Sequence, residues 1–180
     1  MQKILKKDKI ELKTFLADES PTLFNLIDKN RDHIGKWLIW VEKTKTTEDT
    51  EVKIKEWEEK EKKGEGINFG IWYKNELVGV VSYNYINKEH RKAEIGYWLD
   101  KDHQGKGIMT NACKLLIDYG FSDLNLHRIE ISCAKGNEKS CAIPERLGFT
   151  KEGQFRESGY INGKFVDHYY YSLLENEWKS

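Results

Sequence analysis

The most specific chemistry in the chain lies in Gln104-Gly105-Lys106-Gly107-Ile108-Met109, between a strand-like and a helix-like segment. Glycine, lacking a Cβ, lets the backbone come close to a ligand. The first N–H groups of a helix have no partner inside it, and the positive end of the helix dipole stands behind them. Such a turn can hold an anion, and a pyrophosphate is its natural guest. It is not a Walker motif, because no Gly-Lys-Ser/Thr stands at the required spacing. It is not GxGxxG either, because Thr110 takes the place of the last glycine. Taken alone, the same glycines suit a tight strand-to-helix connection equally well.

Other reactive residue types read more plainly. His33, His90, His103, His127 and His168 show no metal-ligand spacing, and His103 reads as a surface turn residue. Cys113, Cys133 and Cys141 are odd in number and form no CxxC, so neither a disulfide framework nor a zinc site is expected. All three read as buried bystander thiols, since a covalent nucleophile wants a base beside it. Glu130, between Ile129 and Ile131, reads as a carboxylate on a sheet face. The run Tyr169-Tyr170-Tyr171 reads as sheet packing.

The elements that must position these residues follow from periodicity. Residues 8–15 read as a strand, with Ile10 and Leu12 on one face. Leu23, Phe24, Leu26 and Ile27 give one helical face; Ile34, Trp37, Leu38 and Val41 give another. Residues 42–65 are charge-dense and read as a solvated helix, capped by Thr47 or Asp49 and ended by Gly64. The period then becomes two. Strands are expected at 67–73 and 77–85 around a Lys74-Asn75-Glu76 hairpin, and at 92–99. A helix over 107–122 precedes a strand over 127–134. Asn137 caps a short helix over 138–147, and Gly148 stops it. Asn162-Gly163 joins strands 155–161 and 164–174 by a turn that needs positive φ at both central residues. The result is a mixed α/β fold around one central sheet, in one domain spanning 1–180.

Composition narrows the function. Thirty Lys and Arg balance thirty Asp and Glu in 180 residues, which excludes a polycation built to coat nucleic acid or anionic lipid. Mean hydropathy is −0.74, yet 12% of residues are aromatic and only two are Pro, which a disordered chain would not show. No apolar run approaches the length of a membrane span, and MQKILKKDKIELKTF has no secretory h-region. A reducing, cytoplasmic setting is expected.

After the glycine turn come Asn137-Glu138-Lys139-Ser140 and Leu147-Gly148-Phe149. With EIGYWL at 94–99, HQGKGIMT at 103–110, LHRIEI at 126–131 and DHYYYSLLENEW at 167–178, the chain resembles the GNAT superfamily of acetyl-CoA-dependent N-acetyltransferases. Within it, the RimJ/RimL branch, which acetylates amino termini of ribosomal proteins, is the most similar. The resemblance covers nearly the whole chain and is sharpest over 93–178. It implies a mostly antiparallel, splayed sheet flanked by helices, with acetyl-CoA wedged between the 92–99 and 127–134 strands. The pantetheine amides would pair with backbone at Tyr97, Trp98 and Leu99. The pyrophosphate would sit on Gln104, Gly105, Lys106, Gly107, Ile108 and Met109. Asn137 would bond the pantetheine arm, and the Ser140 hydroxyl would lie near the thioester sulfur. Met109 stands where the family usually has Gly or Ala, which puts a longer side chain beside the phosphates. No metal is implied.

The chemistry itself asks for a neutral amine. An α-amino group, with pKa about 7.7–8.0, is closer to neutrality than a Lys side chain near 10.4. A carboxylate, directly or through water, can take the released proton. The candidates are Glu94, on a strand lining the wedge, and Glu157, before the last hairpin. The expected acceptor is a protein N-terminus, with a small amine (polyamine, aminoglycoside or amino acid) as the alternative. A non-catalytic acyl-CoA-binding module is the reading outside enzymes. The sequence leaves room for a homo-oligomer.

Overall fold

Pairs of left-handed residues set two of the hairpins. In the computed structural model, which describes residues 2–179, Lys74 and Asn75 have φ of 53° and 65° and join β3 (Ile67–Tyr73) to β4 (Glu76–Asn87). Asn162 and Gly163, at 49° and 80°, join β7 (Thr150–Ile161) to β8 (Lys164–Leu174). Positive φ at both central residues matches the turn twist to the strand twist. A third turn trims the strand expected over 8–15 to its core and adds a strand before it that periodicity did not show. Asp8 has φ 55° and folds β1 (Ile4–Lys7) back on β2 (Ile10–Thr14). The Lys-rich β1 lies at a sheet edge, where charge is tolerated and periodicity is weak.

Among the described residues eight strands, with β5 at Lys92–Leu99 and β6 at Arg128–Ala134, form one sheet in the order β1-β2-β3-β4-β5-β6-β8-β7. Every neighbouring pair is antiparallel except β5 with β6. That parallel pair holds for three positions only: Lys92 with Arg128, Ala93 with Ile129, and Glu94 with Glu130. Beyond Glu94, β5 bonds to β4 alone and β6 to β8 alone. The sheet therefore opens into a V.

Helices cover the two faces unequally. On one face α4 (Ile108–Ser122) buries Ala112, Cys113, Leu116 and Ile117 against Tyr83, Ile95, Ile129, Ile131 and Tyr171. On the other, α1 (Ser20–Lys29), α2 (Arg31–Ile34) and α3 (Thr47–Lys63) pack on Leu77 and Val80. Asp49 does not cap α3 but closes a capping box with the cap residue, Thr46; Gly64, at φ 68°, ends the helix. The helical face expected through Ile34–Val41 is broken. After one turn the chain loops and re-forms as a 3-10 segment, Ile39–Lys43. The Arg31 guanidinium holds that loop by donating to the carbonyls of Val41 (2.7 Å) and Thr44 (2.8 Å).

The cysteines correct the sequence reading. Cys133, near the end of β6, and Cys141, in α5 (Glu138–Arg146), are disulfide-bonded, with Cα atoms 5.6 Å apart. A short turn folds α5 straight back on β6, so residues eight apart meet. Cys113 is free and buried, and burial pushes its thiol pKa up.

Candidate active site

The glycine turn is tied down from beneath. β5 ends at Leu99, and the next residue, Asp100, is fully buried. Burial alone would raise its carboxyl, but hydrogen bonds from His103 (2.8 Å) and Lys29 (3.0 Å) and a backbone bond from Asp102 hold it down at about 2. The Asn30 side-chain oxygen accepts from the N–H of Lys101 at 3.0 Å. The end of α1 thus anchors the 101–104 segment. His103, read as a surface turn residue, is part of this anchor. Nothing in the sequence marks Asp100, because its partner Lys29 lies 71 residues away.

Above the anchor, Gly105 and Gly107 take φ of 74° and 72°, and α4 begins at Ile108 with no side-chain cap. The first backbone bond into the helix is Asn111 to the Gly107 carbonyl, at 3.0 Å. Among the described hydrogen bonds, the N–H groups of Gly105 to Thr110 have no acceptor. Met109 does not crowd this array: it is 7% exposed and packs into the core beneath α4. The neighbouring side chains are already engaged. Lys106 bonds the Asp102 carbonyl at 2.8 Å. The Gln104 amide bridges His33 (2.8 Å) and Lys139 (2.7 Å), joining α2 to the start of α5.

The V is lined by alternate residues of β5. Tyr97 and Leu99 face the α4 side, and Trp98 faces the α1–α3 side, tilted against Trp40. The Tyr97 hydroxyl donates to the Ser140 carbonyl at 2.8 Å, so one bond crosses from β5 to α5. Asn137 caps α5, its side-chain oxygen accepting the Ser140 N–H at 3.3 Å. Its amide nitrogen has no partner among the described bonds, and neither has the half-buried Ser140 hydroxyl.

The two carboxylate candidates part company. Glu94 stands at the apex of the V, opposite Glu130. Burial raises its pKa, the Glu130 charge adds to the rise, and the Ser132 hydroxyl, 3.4 Å away, and the nearby Asn84 amide oppose it. Glu130 itself pairs with Arg128 (2.7 Å) and Lys92 (3.5 Å). Glu157 is exposed in the irregular stretch between Phe155 and Gly159, at φ 51°, and its N–H donates to Asp167 at 2.9 Å. Tyr170 faces the two glutamates, whereas Tyr171 lies in the core and bonds Glu145. No cluster of three or more His, Cys, Asp or Glu among the described residues could hold a metal.

Comparison with known proteins agrees with this geometry. A family model described as an acetyltransferase (GNAT) domain matches residues 9–150. The "Putative ribosomal N-acetyltransferase YdaF" of Bacillus subtilis is 41% identical over 171 residues, covering 94% of this chain and 93% of that protein. Among solved structures, RimL, a ribosomal alpha-N-protein acetyltransferase in complex with coenzyme A, superposes with TM-score 0.93 at 29% identity, over 96% of this chain and 98% of that one. The microcin C7 self-immunity acetyltransferase MccE, in complex with acetyl-CoA and AMP, gives 0.89 at 34% identity over 93% of both chains. The chain belongs to the GNAT acetyltransferases and takes acetyl-CoA as its co-substrate.

Proposed function

We propose that this acetyltransferase moves the acetyl group to the amino-terminal α-amine of a protein, a ribosomal protein foremost, by direct attack of the amine on the thioester. The observation that carries the reading is the parting of β5 from β6 at Glu94 and Glu130. It leaves the backbone edge of Gly96–Leu99 unpaired towards the gap, with free N–H groups at one end and the start of α5, held to Tyr97 through the Ser140 carbonyl, across it. This chemistry fits the co-substrate. Pantetheine amides suit an unpaired strand edge, as in β-strand addition. The pyrophosphate suits the uncapped N–H groups from Gly105 to Thr110. Asn137 keeps an amide nitrogen for the pantetheine arm while its oxygen caps α5.

The residues then divide the reaction. A neutral amine adds to the thioester carbonyl, and collapse of the adduct breaks the C–S bond. The Ser140 hydroxyl donates a hydrogen bond to the departing thiolate. The proton shed by the acylated amine goes to the Glu94 carboxylate, directly or through water. Glu94 suits this better than the exposed Glu157, because burial and the facing Glu130 raise its pKa towards the working range of a base. The names of the relatives that acetylate ribosomal proteins favour the protein acceptor.

The test is thiol release from acetyl-CoA with Ser- and Ala-initiated peptides set beside spermidine. The rate with the favoured peptide should rise with an apparent pKa near 8, where an α-amine loses its proton. A preference for spermidine over every such peptide would overturn the acceptor assignment.

A further inference from the structure

Asn84 is the extra residue of a bulge in β4. Tyr83 pairs with Ile95 and Tyr85 with Glu94, so Asn84 has no opposite number on β5. Bulges re-aim side chains and are common beside active sites. Here the side chain turns flat over Gly96. A Cβ at residue 96 would collide with the amide nitrogen, oxygen and carbon of Asn84. Glycine inside a strand weakens it and often marks a close approach. Ser82 lies against the amide: its hydroxyl stands 2.7 Å from the Asn84 oxygen, to which it donates, and 3.3 Å from the Gly96 carbonyl. With the oxygen so engaged, the amide's N–H end lies over Gly96, on the face of β5 that also carries the Glu94 side chain, where it favours the charged carboxylate.

We infer that Asn84 is a positioning residue for the proton acceptor, holding the Glu94 carboxylate charged and aimed into the gap, and that Gly96 is a glycine to make room for it. The inference rests on the reading of Glu94 as the base. The groups facing Glu94 explain why a neutral donor is needed there. From β6 come the like charge of Glu130 and the hydroxyl of Ser132, 3.4 Å away; from β8 comes Tyr170; from its own strand comes Lys92. Lys92 and Arg128 are both occupied by Glu130. Asn84 is thus the donor that β4 contributes to a carboxylate otherwise set among an acid, two hydroxyls and shared cations. Acetyl-CoA and an acceptor would strip more water from the same spot and make the donor matter more.

Three variants and two readouts test this. Asn84→Ala, Asn84→Asp and Gly96→Ala are each followed by the 13C titration of the Glu94 carboxyl and by the pH profile of kcat/KM for a peptide. Below the α-amine limb, the profile steepens where the base itself becomes protonated. We expect both the titration and that break to move up by about one pH unit in Asn84→Ala and in Gly96→Ala. Asn84→Asp keeps the shape but exchanges the donor for a charge, so it should move them further. A merely structural role for Asn84 would leave both unmoved in folded Asn84→Ala and Gly96→Ala, since the added charge of Asn84→Asp moves them in either case. An unchanged Glu94 titration in Asn84→Ala and Gly96→Ala overturns the positioning role while leaving the base standing. Retention of turnover by Glu94→Gln overturns the base and this inference with it. Gly96→Ala keeps the test open even where an Asn84 variant fails to fold, since it leaves Asn84 in the chain and only displaces it.

Discussion

The roles proposed for Ser140 and Glu94 are separable by substitution. Asn137, not Ser140, supplies the cap of α5, so the Ser140 hydroxyl is not needed to start that helix. Ser140→Ala should therefore melt at the wild-type temperature while kcat falls roughly 10–100-fold. Losing a donor to a full oxyanion costs about 10²–10³, and sulfur is the weaker acceptor. Asn137→Ala is the contrast: it should lose about 1 kcal/mol of stability with the cap. Glu94 makes the opposite prediction for stability. Its carboxyl pKa is raised by burial and then by Glu130, so its ionised form is unfavourable in the folded state. Stability from this group is full below the unfolded value, about 4, and is lost as pH rises through the raised value. Glu94→Gln should raise Tm at pH 7.5, and the gap should close below about pH 4. A lower Tm for the variant at neutral pH would contradict the burial argument. Glu94 and Ser140 were legible as types in the sequence; Asn84 was not, because a bulge leaves no trace in a period-two pattern.

Elements differ in how plainly the chain announces them. The hairpin turns at Lys74-Asn75 and Asn162-Gly163, the α3 stop at Gly64 and the cap at Asn137 are all chemistry at single positions, and all stand where the residues place them. The segment from Arg31 to Lys43 was misread because its apolar spacing serves one helix or two short turns equally. Long-range bonds, such as Arg31 to the Val41 carbonyl, decide between them. The Cys133–Cys141 disulfide escaped for a related reason: cysteine spacing says nothing of how tightly α5 folds back on β6. The glycine turn was legible, but its anchor was not. Because Asp100, Lys29, His103 and Asn30 hold it from below, its upper surface can be altered without dismantling it. At Gly107 the nearest atom to an added Cβ is the Asn111 amide nitrogen, 3.9 Å away. Gly107→Asp should fold, at a cost of about 1 kcal/mol for a left-handed non-glycine residue. It also puts a carboxylate where the pyrophosphate would meet the N–H array. A calorimetric titration should show acetyl-CoA binding weakened more than about tenfold; unchanged affinity would move the anion site elsewhere.

The molecule as a whole is a sheet in two parts, β1–β5 and β6–β8, joined by three residue pairs and by the core beneath α4. This makes the gap the place where the fold has left backbone bonds unmade. On the β6 side of β5, the N–H groups of Tyr97 and Leu99, which face the gap beyond the last parallel pair, have no sheet partner. Those from Gly105 to Thr110 have none either. Both sets should exchange their amide hydrogens quickly in the free protein although they border the core, because exchange follows hydrogen bonding and solvent contact. Acetyl-CoA lying along the gap would give both sets acceptors at once. The prediction is a pattern: on adding it, protection should rise at Tyr97 and Leu99 and continuously over 105–110. Residues on the β3–β4 side, already paired, should change far less. Ligand binding to the folded state alone contributes about 2.7 kcal/mol at a hundredfold excess over Kd. For a chain of this size that is a rise in Tm of roughly 5–10 °C. Uniform protection across the sheet would indicate only this global stabilisation. Protection confined to 105–110 would mean that the phosphates bind but the pantetheine arm does not pair with β5. Protection gained at Tyr97 and Leu99 with no change at Trp98 between them is the signature of a ligand completing the sheet as a strand would.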